Sequence, residues 1–290
     1  MIVAGHNFAE KLARLLNARF VDIEKRTFPD GEVCPRLLTD SVDEHSIIAE
    51  RMAANEYHNR HLVEVLFSVK SLSFMGAKKI DVVMPYFIYS RQDEVFRPGE
   101  PLSARFILEM LADAGATRFF TVSSHADRHS DRISFSPIPA YNINGFVAIA
   151  EYLKGIKFTN PIIVGPDDGS REFVKTVSGI LGYEGTVFHK ERDLKTGDIK
   201  THADVDVRGR DVIIIDDIVS SGSTILNSID ICKKSGANKV YCAVVHVTSE
   251  KGIEPISAAV EKFVACNTIH SSISAIPVEE MVAEKIKEVS

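Results

Sequence analysis

Hydrophobic and polar positions along the 290-residue chain follow two alternating patterns. Short apolar runs predict buried strands; residues 212–215, for example, are consecutive Val and Ile, which cannot alternate between an inner and an outer face. Other segments space their apolar residues three or four positions apart, as in residues 172–181, where Phe173, Val177 and Ile180 share one helical face. Alternating strands and helices predict an α/β fold built around mainly parallel sheets flanked by helices.

The apolar runs give seven predicted strands. They lie at residues 1–4, 80–85, 118–122, 161–164, 186–189, 212–215 and 240–245. The strand at residues 212–215 is followed by a helix pattern that begins with a Ser/Thr cap. The positions that share one face of this helix are Thr224, Ile225, Ile229 and Cys232. Such a strand, loop and helix junction is where open α/β sheets bind ligands.

An internal similarity predicts two similar domains in tandem. GATRFFTVSSH at residues 115–125 aligns without gaps with GANKVYCAVVH at residues 236–246. The pattern breaks near PIPAYNING, so we predict an N-terminal domain at residues 1–142 and a C-terminal domain at residues 143–290. A similarity of composition alone between two βα units is the alternative.

Composition and charge exclude several classes of protein. The chain is 45% hydrophobic with a mean hydropathy of +0.01, typical of a soluble globular protein. It has no 18-residue apolar run and no signal peptide pattern, so we expect no membrane partner. A net charge of −6 disfavours nucleic acid as a partner. Four scattered cysteines without a CxxC motif predict reduced thiols in a cytoplasmic protein.

The segment DDIVSSGST, which follows the strand at residues 212–215, combines two kinds of chemistry. Its Ser/Gly loop before a helix offers backbone N–H groups and hydroxyls to an anion without any cationic side chain. Asp216 and Asp217 would repel a bare phosphate, but they suit hydroxyl groups or a divalent metal ion. A sugar phosphate satisfies both demands, since its phosphate enters the loop and its hydroxyls meet the aspartates.

The same segment resembles the ribose 5-phosphate loop of the type I phosphoribosyltransferase fold. Four further motifs resemble those of the ribose-phosphate pyrophosphokinase family in the same order: FPDGE at residues 28–32, YSRQD at 89–93, GPDDGS at 165–170 and HKER at 189–192. The resemblance spans almost the whole chain. It implies two phosphoribosyltransferase-like domains and an enzyme that makes 5-phosphoribosyl 1-pyrophosphate and AMP from ATP and ribose 5-phosphate. Absence of a GxxxxGK[ST] motif agrees with this and disfavours a P-loop kinase.

The resemblance also implies roles for individual residues. Lys190 and Arg192 are the expected catalytic cations, and Mg²⁺ is the expected cofactor, held by His125 and Asp167. The expected ATP site consists of Phe28, Asp30, Gly31, Glu32, Arg91, Gln92 and Asp93. The expected ribose 5-phosphate site consists of Arg192, Asp216, Asp217, Ser220, Ser221, Gly222, Ser223 and Thr224. The expected pyrophosphate loop consists of Asp167, Asp168, Gly169 and Ser170.

The chain departs from the family pattern at four positions. Ser123 stands where much of the family has Asp, Ser170 and Ser223 stand where Gly is common, and Glu94 stands where many relatives have a basic residue. The family completes its ATP site across a subunit interface, so we expect a homo-oligomer that is a dimer or a multiple of dimers. Two alternatives stay open: a phosphoribosyltransferase that consumes the product, and a non-catalytic regulatory homologue.

Overall fold

The computed structural model describes residues 1–192, 199–203 and 206–290, with the backbone alone for residues 189–192 and 199–203. It divides the chain into two compact units. Unit 1 comprises Met1–Asn144 and Val278–Ser290, and unit 2 comprises Gly145–Pro277. Each unit is a mainly parallel sheet flanked by helices, as the alternating pattern predicts.

Within the described residues, unit 1 contains a seven-stranded sheet in the order β3-β2-β1-β4-β5-β6-β7. Only the β2–β3 pair is antiparallel, and the others are parallel. Its strands are β1 Ile2–Gly5, β2 Arg19–Thr27, β3 Val33–Leu37, β4 His45–Ala49, β5 Lys79–Val83, β6 Arg118–Val122 and β7 Ala140–Ile143. Its helices are α1 Asn7–Leu16, α2 His58–Phe74, α3 Ser103–Ala114 and, after unit 2, α8 Glu279–Glu288.

Unit 2 repeats this arrangement in the described residues, with the sheet order β10-β9-β8-β11-β12-β13-β14. Here the β9–β10 pair is antiparallel. The strands are β8 Ile162–Gly165, β9 Glu184–Arg192, β10 Ile199–Ala203, β11 Asp211–Val219, β12 Lys239–Val247, β13 Lys262–Cys266 and β14 Ser274–Ile276. The helices are α4 Gly145–Lys154, α5 Arg171–Leu181, α6 Ser223–Lys234 and α7 Ile253–Ala259.

Every predicted strand overlaps an observed one, and the predicted helices correspond to α5 and α6. The strand predicted at residues 212–215 is buried as expected but continues further than predicted. Asp216 and Ile218 pair with Val244 and His246 of β12, so the sheet ladder extends through the two aspartates. Placing Asp216 and Asp217 in a loop after the strand was therefore wrong, because ladder pairing outweighs the low strand propensity of Asp.

The observed units differ from the predicted domain ranges 1–142 and 143–290 at both ends of the second domain. Unit 2 begins at Gly145, and the segment Val278–Ser290 belongs to unit 1. Two polar contacts hold that segment in unit 1. Lys11 Nζ lies 3.3 Å from Glu279 Oε2, and the guanidinium of the buried Arg118 donates to the backbone oxygen of Val289 at 2.5 Å.

The internal similarity aligned elements that are not equivalent in the fold. The two units match strand for strand, β1 with β8 through β7 with β14, because their strand orders are identical. By that match β12 corresponds to β5, whereas the aligned segments put β12 against β6. The duplicated fold is confirmed, but the particular alignment was wrong. Both segments look alike because each enters a buried strand after a helix that ends near a left-handed glycine, Gly115 or Gly236.

Across the part of the chain that the structure describes, no helix combines the length and apolar character needed to cross a bilayer.

Candidate active site

Three of the predicted motifs follow neighbouring strands of unit 2. Strands β9, β8 and β11 are adjacent and mutually parallel, so their carboxyl ends meet at one edge of the sheet. GPDDGS follows β8, HKER ends β9, and the SSGST loop follows β11. The sheet therefore brings the predicted pyrophosphate and ribose 5-phosphate loops side by side.

The loop after β11 is shaped to receive an anion. Gly222 adopts a φ of +80°, and a Cβ atom at this position would lie 2.9 Å from Ile256 Cδ1, so a larger residue is disfavoured. α6 begins at Ser223, and no side chain of the described residues caps its N-terminus. The surrounding hydroxyl side chains are exposed; they are Ser220, Ser221, Ser223 and Thr224. Uncapped N–H groups together with exposed hydroxyls are the groups that bind a phosphate.

The two aspartates of β11 differ in environment. Asp217 is buried, whereas Asp216 is partly exposed, because neighbouring side chains of a strand point to opposite faces. Asp216 Oδ1 accepts a hydrogen bond from the Asp217 N–H at 3.0 Å. Although part of Asp216 reaches solvent, the protein around its carboxyl group removes most of its hydration. This desolvation, and then the charges of Asp217 and Asp167, raise the pKa of Asp216 well above its ordinary value. The site thus concentrates negative charge that a cation or hydroxyl donors would relieve.

The predicted pyrophosphate loop is a tight turn before a helix. Asp167 Oδ1 accepts from the Gly169 N–H at 3.1 Å, and Ser170 Oγ donates to the Asp167 carbonyl at 2.5 Å. Ser170 is buried, so its hydroxyl points into the protein rather than toward a ligand. The exposed Asp168 forms an ion pair with Arg171 at 2.7 Å, at the start of α5.

Lys190 and Arg192 lie in β9, where their backbones pair with Thr201 and Ile199 of β10. They occupy the end of β9 next to the loop after β8, as their motif predicts. Their side chains lie outside the described residues, so the roles assigned to these two cations remain predictions.

In unit 1, FPDGE forms the exposed tip of the β2–β3 hairpin. The Phe28 N–H donates to the Glu32 carbonyl at 2.8 Å, and the Gly31 N–H donates to the Phe28 carbonyl at 2.9 Å. Asp30 Oδ1 accepts from the Glu32 N–H at 3.2 Å, which stabilises the turn. The Arg26 guanidinium lies 4.6 Å from the centre of the Phe28 ring. The ring is therefore held on the surface, where a planar base can stack on it.

The hairpin tip and the YSRQD segment line two cavities that share Tyr89. The larger, of about 1170 Å³, is lined by Gly31 and Glu32 as well as Tyr89. The smaller, of about 560 Å³, is lined by Tyr89 together with Arg91 and Gln92. Tyr89, with a φ of +62° and its hydroxyl bonded to Asn59, thus connects two predicted parts of the ATP site.

The remaining residues of YSRQD are not all placed in these cavities. Ser103 Oγ donates to Gln92 Oε1 at 2.8 Å, which fixes the amide. Asp93 and Glu94 do not line either of the two cavities. Sequence reasoning missed Tyr89 as a site residue, although it is the first letter of the motif.

His125 stands in a strained loop after β6. Ser123 and Asp127, on either side of it, adopt φ values of +41° and +49°. Arg128 Nη2 lies 2.7 Å from His125 Nε2. His125 belongs to unit 1 and Asp167 to unit 2, so their joint metal site stays a prediction.

Asn142 of β7 fixes the loop that carries His125, a contribution that sequence reasoning missed. Its Oδ1 accepts from the Ser124 N–H at 2.8 Å. Its Nδ2 donates to the carbonyls of Ser130, at 3.1 Å, and Asp127, at 3.4 Å. Nothing in the sequence marks Asn142, since it lies 17 residues beyond His125 and the contact arises from β6–β7 pairing.

Comparisons with known proteins agree with this geometry. The N-terminal domain of ribose phosphate pyrophosphokinase matches residues 2–115, and the phosphoribosyl transferase domain matches residues 139–280. The ribose-phosphate pyrophosphokinase of Sulfolobus acidocaldarius is 33% identical over 96% of both chains. That of Pyrococcus furiosus is 35% identical over 90% of this chain and 91% of its own. A solved phosphoribosylpyrophosphate synthetase from Mycobacterium smegmatis has the same fold, with a TM-score of 0.85 at 24% identity, covering 100% of this chain and 98% of its own.

The duplicated fold and the match of its second half to the phosphoribosyl transferase domain define a protein of the phosphoribosyltransferase type. Within that class, the chain belongs to the ribose-phosphate pyrophosphokinase family, since full-length relatives above 30% identity carry that name.

Proposed function

We propose that this protein transfers the diphosphoryl group of ATP to the anomeric hydroxyl of ribose 5-phosphate, giving 5-phosphoribosyl 1-pyrophosphate and AMP for nucleotide biosynthesis. The observation that carries the proposal is the adjacency of β9, β8 and β11, which gathers three predicted anion-binding segments at one sheet edge. A reaction whose substrates and product are all phosphate esters needs such a concentration of anion-binding groups.

The ribose 5-phosphate would bind at the loop after β11. Its phosphate would accept hydrogen bonds from the N–H groups at the start of α6 and from the exposed hydroxyls of Ser220–Thr224. The positive end of the α6 dipole adds to this attraction without any cationic side chain. The partly exposed Asp216 would accept hydrogen bonds from the sugar hydroxyls. Asp217, the second residue of the proposed pair, is buried on the opposite face of β11.

ATP would contact the cavities that Tyr89 connects in unit 1. Phe28, exposed at the hairpin tip, offers a face for adenine stacking, and Asp30, Gly31 and Glu32 offer hydrogen-bonding groups beside it. Arg91 offers charge to the phosphates. Gln92 and Asp93 complete the proposed set, with Gln92 held in place by Ser103.

Mg²⁺ is the proposed cofactor, with Asp167 and His125 as its proposed protein ligands. Asp167 supplies a carboxylate next to the turn of the pyrophosphate loop, where Gly169 orients one of its oxygens. His125 supplies an imidazole from a loop that Asn142 holds rigid. Mg²⁺ keeps most of its ligands as waters and substrate phosphates, so two protein ligands suffice. When bound, it would neutralise phosphate charge.

The chain's own residues would then position the reactants. The anomeric hydroxyl of ribose 5-phosphate attacks the β-phosphorus of ATP, the bond between that phosphorus and the α-phosphate oxygen breaks, and AMP leaves. Lys190 and Arg192, the proposed catalytic cations, would stabilise the charge on the transferred group and on the leaving AMP. Asp168, Gly169 and Ser170 belong to the turn proposed to face the diphosphate.

We also propose a homo-oligomer, either a dimer or a multiple of dimers. Val63, Phe67 and the 91% exposed Phe74 share one face of α2. Phe106 and Met110 are exposed on the neighbouring α3. This apolar face continues into the cavity at the hairpin tip, since Val63 and Phe67 line it too. Apolar patches of this kind mark interaction surfaces, and a second copy would cover it beside the ATP loop.

Completion of the active site across that interface has a direct test. Asp30→Ala and Lys190→Ala subunits, each nearly inactive alone, are mixed under conditions that exchange subunits. If the hairpin of one subunit serves the catalytic cations of the next, mixed dimers regain one intact site, and activity rises above either parent. Mixtures that never exceed the parents would contradict a shared site.

A cytoplasmic location is also proposed. None of the four cysteines forms a disulfide, and three of them are buried. Burial raises the pKa of the thiol of Cys232 to about 12 and keeps it protonated.

One assay separates the proposed reaction from its alternatives. The purified protein is incubated with Mg²⁺ and ATP, with or without ribose 5-phosphate, and AMP is measured. We expect AMP release only when the sugar phosphate is present. A phosphoribosyltransferase or a non-catalytic homologue would release no AMP under either condition.

A further inference from the structure

Unit 1 carries a second cluster of charged side chains at its own switch point. β1 and β4 are neighbours in the sheet although β2 and β3 separate them in sequence. In open α/β sheets, ligands bind in the crevice at the carboxyl ends of such a strand pair. His6 follows β1 and Glu50 follows β4, and the chain then leads into α2. The equivalent crevice of unit 2 lies between β8 and β11, where Asp167 and the loop of residues 220–224 are found.

Three side chains of this cluster converge on one point. Glu56, His61 and Glu64 each contribute one potential ligand atom, and these atoms lie within 4.8 Å of one another. His61 and Glu64, three positions apart on α2, share a helical face and are only 1% and 2% exposed. Glu56 is partly exposed and lines the large cavity, so a path from solvent reaches the cluster.

One buried atom of the cluster, His61 Nδ1, lacks a hydrogen-bond partner among the described residues. Glu64 Oε2 forms an ion pair with Lys25 Nζ at 3.2 Å. His61 Nδ1 lies 3.9 Å from Glu56 Oε1, which is too long for a hydrogen bond. Two atoms this far apart can both reach a shared metal ion about 2.0–2.2 Å from each, at a wide angle between the ligands.

The other oxygen of each carboxylate is already engaged. Glu56 Oε2 accepts from the Ala53 N–H at 2.8 Å, and Glu64 Oε1 accepts from Arg60 Nε at 2.9 Å. Such contacts orient metal ligands and leave one oxygen of each for the ion. One oxygen of each carboxylate is therefore held by a hydrogen bond, as is common for the carboxylate ligands of metal ions.

Lys25 contacts two of the carboxylates in this region, and its contact with Glu64 is the longer of the two. Its Nζ lies 3.2 Å from Glu64 Oε2 but only 2.7 Å from Glu50 Oε2. Glu50 is buried and also contacts His6 at 3.0 Å. Lys25 can thus keep its shorter ion pair with Glu50 when Glu64 turns to another partner.

We propose that Glu56, His61 and Glu64 bind a divalent first-row transition metal ion such as Zn²⁺. One imidazole nitrogen and two carboxylate oxygens form a ligand set typical of these ions. The ion would anchor the start of α2, which forms the wall of the cavity opposite Gly31 and Glu32. The site is structural, and it shares no residue with the pair proposed to hold Mg²⁺.

The test uses Co²⁺, whose visible absorption reports its ligands. Titrations are made on full-length His125→Ala protein, so that the proposed Mg²⁺ ligand does not compete for the probe. We expect one Co²⁺ per chain with ligand-field absorption. Adding His61→Asn or Glu56→Gln should weaken binding at least tenfold, whereas adding His58→Asn, a nearby histidine outside the cluster, should leave it unchanged.

Circular dichroism checks that each variant is folded. If substitution of the buried His61 prevents folding, the Glu56→Gln variant, at a partly exposed position, still tests the site. The proposal is overturned if the His125→Ala protein binds no Co²⁺. It is equally overturned if the folded variants at Glu56 and His61 bind Co²⁺ as tightly as their parent.

Discussion

The side chain of Ser170 occupies the space beside Gly165 that a Cβ atom would need. A Cβ built on Gly165 would lie 2.8 Å from Ser170 Cβ, closer than such atoms approach in proteins. The Ser170 hydroxyl meanwhile donates to the Asp167 carbonyl. The departure from the common glycine at position 170 is therefore accommodated inside the protein, by the glycine that ends β8.

Gly165→Ala should lower the free energy of unfolding by about 1–3 kcal/mol, because the added methyl group overpacks a filled site. Urea unfolding followed by circular dichroism measures this. In a Ser170→Gly background the same change should cost clearly less, since the clashing side chain is gone. Equal costs in both backgrounds would show that the two positions are not coupled.

Asn142→Ala should lower the rate of AMP formation about tenfold and raise the Mg²⁺ concentration needed for half-maximal activity. The variant loses the hydrogen bonds that fix the His125 loop to Ser124, Asp127 and Ser130. Saturating Mg²⁺ should restore part of the rate. Asn227→Ala, at an exposed position of α6, is the matched control. A loss of rate that is independent of Mg²⁺ would argue against this positioning role.

Asp216→Asn should make the protein more stable at neutral pH and less active. Burial and the charge of Asp217 raise the Asp216 pKa, so the folded state binds a proton more tightly than the unfolded state. The stability this group contributes is complete below the unfolded pKa and is lost as the pH rises through the folded pKa. An amide cannot ionise, so it escapes that loss.

Urea unfolding of wild type and Asp216→Asn at pH 4 and pH 7.5 measures the change in the free energy of unfolding. We expect the variant to gain stability, and to gain more at pH 7.5 than at pH 4. Activity should fall roughly 10- to 100-fold, the range expected for loss of a charged hydrogen-bond acceptor to the sugar. Asp230→Asn, an exposed residue of α6, controls for charge removal. A destabilised Asp216→Asn protein at pH 7.5 would contradict the assigned pKa direction.

Phe28→Ala should raise the KM for ATP about tenfold and leave the KM for ribose 5-phosphate unchanged, since the ring offers a stacking face to adenine. Steady-state kinetics with each substrate varied in turn measures this. Phe20→Ala removes an exposed ring from the other end of the same strand and should change neither constant. Equal effects on both substrates would point to a structural role for Phe28.

Much of the fold follows from local pattern. The apolar runs predict strands β1, β5, β6, β8, β9, β11 and β12, and the loop after β11 is recognisable from its Ser and Gly residues and the two aspartates. Local sequence pattern does not predict contacts between segments that are distant in the chain. The return of α8 to unit 1 depends on Arg118 meeting the backbone of Val289, and the support of His125 depends on Asn142 in the next strand.

The same limit explains the two errors. Extension of β11 through Asp216 and Asp217 is set by pairing with β12, which no property of the aspartates indicates. The misaligned internal similarity arose because βα units share a common pattern, whereas equivalence is decided by strand order. The cluster of Glu56, His61 and Glu64 escaped notice because Glu56 precedes α2 and only the fold turns it toward the helix.

The reaction itself is tested most directly by following isotope from ATP. The protein is incubated with Mg²⁺, ribose 5-phosphate and ATP labelled at either the α- or the β-phosphorus. We predict that the β-label appears in the pyrophosphorylated sugar, that the α-label stays in AMP, and that Lys190→Ala or Arg192→Ala slows both about 10²- to 10³-fold. Release of the β-label as free phosphate or ADP, with none in the sugar, would contradict diphosphoryl transfer.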